Sequence, residues 1–363
     1  MKFPSFFNLL LVVFFTQAPL AAQSFYELLH DDAIGEEVAV VLTLPLDSLH
    51  ARSRDEYPGT IAFTDRDGQP RSFSVDYSVR GKFRRTRCAT PPLRLDLSKT
   101  ELGNAGLEEH DKFKLVTTCY ADSNGSELLL KEYLAYRAYA LLSPDAHYRA
   151  QLLKVTYRDA AGNYDDRTDY AFLIEDTDEM AARAGGEELD EALGLQADRF
   201  LARAEATHAL FQYLIGNGDW NLPLARNVKI VARPDGKLVP VGYDFDFSGW
   251  VGAPYASPTL DHGQQNIYDR VYLGYAQSDR VLQEVTQDFR SHRRELLRMI
   301  GDFDLLPRQE RQVLQRFVQR FYNDMAEMSV RTELELYSQL RGSTADIIPP
   351  GAQPHSYRGA ARR

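Results

Sequence analysis

The stretch that decides the fold is residues 112–142, KFKLVTTCYADSNGSELLLKEYLAYRAYALL. Apolar and polar residues alternate over residues 112–118, which is typical of a β-strand with one buried face. A polar break at residues 122–126 follows, and apolar residues then recur at helical spacing over residues 127–142, behind a serine cap. A strand that leads into a long apolar-faced helix predicts a chain of the α+β class.

Further strands are predicted on both sides of this stretch from alternating or β-branched runs. A turn with the sequence DRDG at residues 65–68 joins two of these runs as a hairpin. The first third of the chain is therefore predicted to be mostly antiparallel sheet. The predicted strands are residues 38–44, 59–63, 71–79, 92–97, 152–157 and 170–175.

The second half is predicted to be mainly helical. A helix over residues 204–215 precedes a hairpin of strands 228–232 and 238–241, and helices then dominate to about residue 340. Strands that are segregated from helices indicate a bilobal chain with a cleft between the lobes. The predicted division is an export signal over 1–22, a sheet-rich lobe over 23–176, a helical lobe over 177–341 and a disordered tail over 342–363.

The first residues are typical of a cleavable export signal. Lys2 precedes an apolar run over residues 6–15 and small residues up to Ala22. The run is about half the length that spans a bilayer, so no transmembrane anchor is expected after cleavage. We therefore predict a periplasmic or secreted protein that starts near Gln23. A net charge of -10 disfavours nucleic acid as a partner.

The chain contains two cysteines, Cys88 and Cys119. An exported protein meets an oxidising compartment, which favours a disulfide between them. The alternative is a pair of buried thiols.

The candidate site lies in residues 216–249, GNGDWNLPLARNVKIVARPDGKLVPVGYDFDFSG. Asp219 follows a helix, Asn227 begins a predicted strand, and Asp244 and Asp246 follow the return strand. Carboxylate and amide oxygens are the ligands that Mg²⁺ and Mn²⁺ prefer, and a separate carboxylate can orient a hydroxyl. The alternative is a set of carboxylates that only cap turns.

This segment resembles the spore-coat CotH family of kinase-like proteins. The resemblance lies in the Gly-Asn-x-Asp-Trp loop, the Asn-Val strand entry and the Asp-Phe-Asp loop. HipA-like and secretory-pathway kinases are similar in the Gly-Asn-x-Asp loop. The resemblance to the CotH family extends in the same order over roughly residues 75 to 250. It includes VRGK at 79–82, YLAY at 133–136 and FLIE at 172–175.

The resemblance implies a bilobal, atypical protein-kinase-like fold with a metal-site hairpin in the helical lobe. It makes Asp219 the catalytic aspartate and Asn227 and Asp244 metal ligands. Asp246 is then an alternative ligand, or a residue that orients one. A departure from the kinase pattern is that residues 80–90 contain no glycine-rich GxGxxG loop.

A kinase of this type also needs a cation on the sheet and a helix glutamate that holds it. Lys114 is preferred to Arg94 and Lys112 because it lies nearer the centre of its strand. On the helix, Glu132 is preferred to Glu127, which falls in the first turn. These two residues and Glu175 form the predicted nucleotide-binding group.

The implied function is transfer of phosphate from ATP, with Mg²⁺ or Mn²⁺, to a hydroxyl of a protein outside the cytoplasm. One alternative is a catalytically inactive kinase-like protein that binds or assembles components of the cell envelope. Another is AMP transfer or glutamylation on the same scaffold.

Overall fold

A computed structural model describes residues 23–331 and 334–342. The predicted export signal at 1–22 lies outside the described residues, as does the predicted tail apart from Gly342. Within the described ranges, the helices are too short or too polar to cross a bilayer.

Seven strands of the N-terminal part close into a barrel. Six neighbouring pairs are antiparallel, and the first and sixth strands pair in parallel, Val40 opposite Val155. The predicted antiparallel sheet therefore needs one correction, because the parallel pair makes it a closed, mixed barrel. The strands are β1 (Val38–Leu44), β2 (Tyr57–Thr64), β3 (Pro70–Val79), β4 (Leu93–Leu97), β5 (Lys112–Thr117), β6 (Ala150–Asp159) and β7 (Arg167–Ile174).

A short helix, α1 (Phe25–Leu29), fills the barrel interior. Its cap is reciprocal, since the Ser24 side chain accepts from the Glu27 amide and the Glu27 side chain accepts from the Ser24 amide. The Phe25 ring is fully buried, with its centroid 5.2 Å from that of Phe113. The apolar face of α1 therefore completes the barrel core, an element that the sequence did not indicate.

The long helix α5 (Ser123–Leu142) begins four residues earlier than predicted. Its cap is the carboxylate of Asp122, which accepts a hydrogen bond from the Gly125 amide at 3.2 Å, and not a serine. Residues 123–126 were read as a break because they are polar, but a first helical turn tolerates polar residues once its amides are capped.

Two hydrophobic cores lie on opposite faces of β7, with Ala171 and Leu173 in one and Phe172 and Ile174 in the other. One fills the barrel, and the other joins α5 and the outer face of β7 to the C-terminal helices. The remaining helices are α2 (Leu46–His50), α3 (Phe83–Arg87), α4 (Lys99–Asn104), α6 (Thr177–Arg183), α7 (Ala202–Ile215), α8 (Asp279–Ser291), α9 (Arg293–Asp302), α10 (Arg308–Val330) and α11 (Leu336–Arg341).

The C-terminal part also contains a small antiparallel sheet of order β10-β9-β8, formed by β8 (Glu187–Glu188), β9 (Val228–Ala232) and β10 (Leu238–Gly242). The predicted hairpin is thus confirmed and gains a short third strand. The helices that dominate the rest of the chain begin at Asp279, and residues 249–278 before them contain only a short 3-10 helix at Leu260–His262. Pro254 and Pro258 disfavour a regular helix there.

The predicted disulfide between Cys88 and Cys119 is present. It joins the end of α3 to the residue two positions after β5. The bond therefore attaches the α3 segment to the barrel just ahead of α5.

Candidate functional site

The hairpin of β9 and β10 brings Asn227 and Asp244 to one place. Val228 pairs with Gly242, and the Tyr243 amide donates to the Asn227 carbonyl at 3.1 Å. Asn227 and Asp244 have positive φ angles of 52° and 65°, a conformation that non-glycine residues seldom adopt. Such backbone strain clusters at functional sites and supports a site at this end of the hairpin.

Asp219 lies beside this pair. The Asn227 side-chain amide donates to Oδ2 of Asp219 at 3.0 Å and to its carbonyl at 2.6 Å. Arg226 forms an ion pair with Oδ1. Burial raises the pKa of Asp219 to about 6, against the opposing effect of Arg226 and with a further contribution from Asp244. The loop carboxylate is thus close to Asp244 but is held by its neighbours.

A buried acidic triad is formed by Glu132 from α5 and by Asp244 and Asp246 from the loop after β10. Each offers a carboxylate oxygen, and the three oxygens lie within 4.8 Å of one another. Glu132 is 2 % exposed and Asp246 is 3 % exposed. Burial and the neighbouring acidic groups raise the pKa of both carboxyls.

Arg84 on α3 is the cation nearest to this triad. Its Nη1 lies 3.0 Å from Oε2 of Glu132 and 3.9 Å from Oδ2 of Asp246, and Nη2 donates to the Thr117 carbonyl. One arginine facing three carboxylates leaves the centre negative when all three are ionised. Since buried charge of one sign is costly, a partner for the remaining charge is expected.

The oxygens of the triad that have no partner fit a divalent cation. Oε1 of Glu132 is buried without a hydrogen-bond partner. Among the described residues, the Asp244 carboxylate also accepts no hydrogen bond and forms no ion pair. Carboxylate oxygens of this kind are the donors that Mg²⁺ and Mn²⁺ take.

Hydrogen bonds to the backbone and side chains hold the triad in place. The Asp244 amide donates to the Tyr136 hydroxyl at 2.9 Å, and the Tyr255 hydroxyl donates to Oδ2 of Asp246 at 3.1 Å. Tyr136 comes from α5, one turn after Glu132. The helix thus supplies both a carboxylate and the group that positions Asp244.

Lys114 lies near the hairpin but does not pair with Glu132 as expected. Its ammonium group donates to the Thr177 hydroxyl at 3.2 Å and stands over the Tyr148 and Tyr243 rings, 4.9 Å and 5.2 Å from their centroids. Burial and the nearby cation Arg80 lower the pKa of Lys114 to about 8. Glu132 pairs with Arg84 instead.

The alternative cations of the sheet lie elsewhere. Arg94 forms an exposed ion pair with Glu56. Lys112 is exposed near the start of β5. Of the three sheet cations considered, Lys114 is the one placed against Tyr243, the residue before Asp244.

Arg80, which follows β3, is not among the predicted nucleotide-binding residues. Its charge lowers the pKa of Lys114, Glu132 and Tyr243, so it lies near all three. No ion pair joins Arg80 to a carboxylate within the described ranges. The VRGK stretch at 79–82 contains this arginine, but the sequence around a single arginine after a strand does not indicate where its side chain points.

Glu175 is engaged in a separate ion network. It is fully buried, and its oxygens accept from Arg149 at 2.8 Å and from Arg183 at 2.7 Å. In the described structure no contact joins it to the triad. Its observed contacts hold the connection between β7 and α6, and they leave no oxygen directed at the hairpin.

The fold and site together describe an α+β chain with a seven-stranded mixed barrel, a largely helical C-terminal part and a buried acidic triad between them. No protein-family model matches this chain, and no curated protein matches it.

Proposed function

We propose that this protein is an exported, metal-dependent, kinase-like phosphotransferase. The observation that carries the proposal is the convergence of Glu132, Asp244 and Asp246 within 4.8 Å, with Asp219 and Asn227 at the adjoining end of the hairpin. Asp219, Asn227, Asp244 and Asp246 also stand in the loops that carry the resemblance to CotH-type proteins. The donor class is a nucleoside triphosphate, with ATP as the first candidate.

In this scheme a divalent cation, Mg²⁺ or Mn²⁺, would be held by Glu132, Asp244 and Asp246 and would neutralise phosphate charge. Asp219 orients the acceptor hydroxyl and accepts its proton. The hydroxyl oxygen forms a bond to the terminal phosphorus while the bond to the bridging oxygen breaks, and the nucleoside diphosphate leaves. Arg80 and Lys114 face the phosphates from the barrel side.

The test is nucleotide-dependent labelling of an extracytoplasmic protein fraction with γ-labelled ATP and Mn²⁺. We expect Asp219→Asn to abolish labelling while the stabilisation by Mn²⁺ and nucleotide is retained. Asp235→Asn is the matched control, because Asp235 lies in the exposed turn at the far end of the same hairpin. Full labelling by Asp219→Asn would remove the support for the proposal.

A second candidate is a nucleotide-binding envelope protein without transfer activity. The ion pair between Arg226 and Asp219 favours it, because the arginine occupies Oδ1 of the carboxylate that transfer would need to meet the acceptor hydroxyl. Stabilisation by nucleotide with no labelled product would select this candidate. Intact-mass analysis after incubation with ATP separates phosphate transfer from AMP transfer and glutamylation by the added mass.

A further inference from the structure

A basic patch lies on two neighbouring loops at one side of the candidate site. We define it by Arg52, Arg54, Lys82, Arg85 and Arg87. The loops are joined directly, since Nη1 of Arg52 donates to the Arg85 carbonyl and Nη2 of Arg54 donates to the Gly81 carbonyl at 3.4 Å. Arg54, Lys82 and Arg87 are exposed. Five cations therefore lie on two joined loops of a chain whose net charge is -10.

The cations of the basic patch are not held in ion pairs. Within the described ranges, no ion pair joins any of its five side chains to a carboxylate. Nε of Arg85 is buried and has no hydrogen-bond partner. Most other barrel arginines are paired, for example Arg71 with Asp65 and Arg158 with Asp166. A cluster of unpaired cations repels itself, and an anionic ligand relieves that repulsion.

Partly exposed aromatic rings connect the patch to the acidic triad. We call Phe83, Tyr120, Phe247 and Tyr255 the aromatic ledge. The Phe83 ring lies 5.5 Å from that of Phe247 and 5.3 Å from that of Tyr255, and the guanidinium of Arg87 stands 6.0 Å from the Phe83 centroid. Since Tyr255 also donates to Asp246, a ligand on the ledge lies next to the triad.

We propose that the basic patch and the aromatic ledge bind the acceptor, an acidic peptide segment whose hydroxyl residue is flanked by aspartate or glutamate. This inference rests on the proposed function and names its substrate class. The cations attract the acidic flanks, and the ledge packs against apolar parts of the peptide. The bound segment thereby runs from the patch towards the triad and Asp219.

A peptide fits this surface better than a membrane or a nucleic acid. The ledge rings are half-buried and pack against one another, so they do not project far enough to enter a bilayer. The net charge of -10 opposes the approach of a long polyanion such as nucleic acid, whereas a short acidic segment meets only the local patch.

The test is fluorescence anisotropy with a short labelled peptide that carries one serine between aspartate and glutamate residues. A peptide with glutamine and asparagine in their place is the reference. We expect the acidic peptide to bind more tightly than the reference, and we expect its binding to weaken at high salt. Lys82→Glu with Arg87→Glu should weaken its binding roughly tenfold or more. Lys82→Gln with Arg87→Gln should have an intermediate effect.

The matched control is Arg294→Glu with Arg298→Glu, which reverses two exposed charges on α9. It should bind the acidic peptide as the wild type does, and thermal unfolding checks that each variant is folded. Equal binding of the acidic and reference peptides, or equal effects of the patch and control variants, would overturn the proposal. So would patch-dependent binding of anionic vesicles or of single-stranded DNA without binding of the peptide.

The binding assay uses no nucleotide, so it separates this inference from the proposed function. Patch-dependent peptide binding without phosphate transfer would leave the docking surface standing and refute the enzyme. Phosphate transfer to the acidic and reference peptides with equal KM would support the enzyme and refute the docking surface.

Discussion

Nη1 of Arg84 lies 3.0 Å from Oε2 of Glu132, which links α3 to the long helix α5. The pair balances one charge of the acidic triad and places α3 over the loop that contains Asp246. Because Cys88 follows α3 directly, the disulfide helps to hold Arg84 there. The site is therefore assembled from the barrel, from α5 and from the hairpin of the helical part.

The acidic triad predicts stabilisation by Mn²⁺. At about 100 times the dissociation constant, a bound ligand adds about 2.7 kcal/mol to the free energy of unfolding. We expect the wild type to gain close to this amount, and Glu132→Gln and Asp244→Asn to lose most of it. Thermal unfolding with MnCl2 and with EDTA measures the difference. The control is Glu205→Gln, which alters an equally buried carboxylate in α7 and should keep the stabilisation by Mn²⁺. Loss of that stabilisation in Glu205→Gln would argue against a site at the triad.

The buried carboxyl group of Glu205 should make the stability of the protein fall as the pH rises. Burial raises its pKa from 4.5 to about 7, although the Tyr275 amide and the Gln277 side chain donate to it at 2.9 Å and 2.8 Å. A raised pKa means that the fold favours the protonated form. Its contribution is thus complete below about pH 4.5 and is lost as the pH rises to about 7.

Glu205→Gln should remove that dependence. The wild type should lose stability on the order of 3 kcal/mol from this group between about pH 4.5 and pH 8, and the variant should not. Urea unfolding at both pH values measures it. Because other acids change equally in both proteins, the difference between wild type and variant isolates Glu205. Parallel pH profiles would contradict the assignment.

The disulfide predicts sensitivity to reductant. Its cysteines are 31 positions apart, and opening a loop of this size should lower the free energy of unfolding by about 3 to 4 kcal/mol. Urea unfolding with and without reductant measures the loss. The double variant Cys88→Ala with Cys119→Ala should match the reduced wild type and should not respond to reductant. An unchanged midpoint after complete reduction would show that the bond is dispensable.

The buried ring of Phe25 should make α1 a main contributor to the stability of the barrel. Phe25→Ala removes a fully buried ring that contacts Phe63, Phe73 and Phe113, and should destabilise the protein by about 3 to 5 kcal/mol. Ile34→Ala is the control, because Ile34 is 42 % exposed and its truncation should change stability by less than about 0.5 kcal/mol. Equal unfolding free energies for the two variants would mean that α1 does not stabilise the barrel.

Much of the local structure was predictable from the sequence. The strand at 38–44 and the hairpin at 228–241 were recognised because alternation and turn residues act over a few positions. The disulfide was predictable because only Cys88 and Cys119 are present to pair. The start of α5 was misplaced, since a polar first turn resembles a loop until its cap at Asp122 is seen.

Part of the candidate site was also visible in the sequence. Asp219, Asn227 and Asp244 lie on two loops joined by one hairpin, so short-range geometry brings them near each other. Glu132 was noticed as a helix carboxylate but was expected to pair with Lys114. Its true partners come from α3 and from the loop after β10, and no local pattern specifies those contacts.

The sequence by itself therefore determined most of the barrel strands, the long helix, the hairpin, the pairing of the two cysteines and the loops that hold Asp219 and Asp244. Only the tertiary structure decided that β1 pairs in parallel with β6 to close the barrel, that Glu132 pairs with Arg84, and that Glu175 pairs with Arg149 away from the triad. The physical reason is that periodicity reports which face of an element is buried, whereas its partners depend on how α5 packs between the outer face of the barrel and the C-terminal helices.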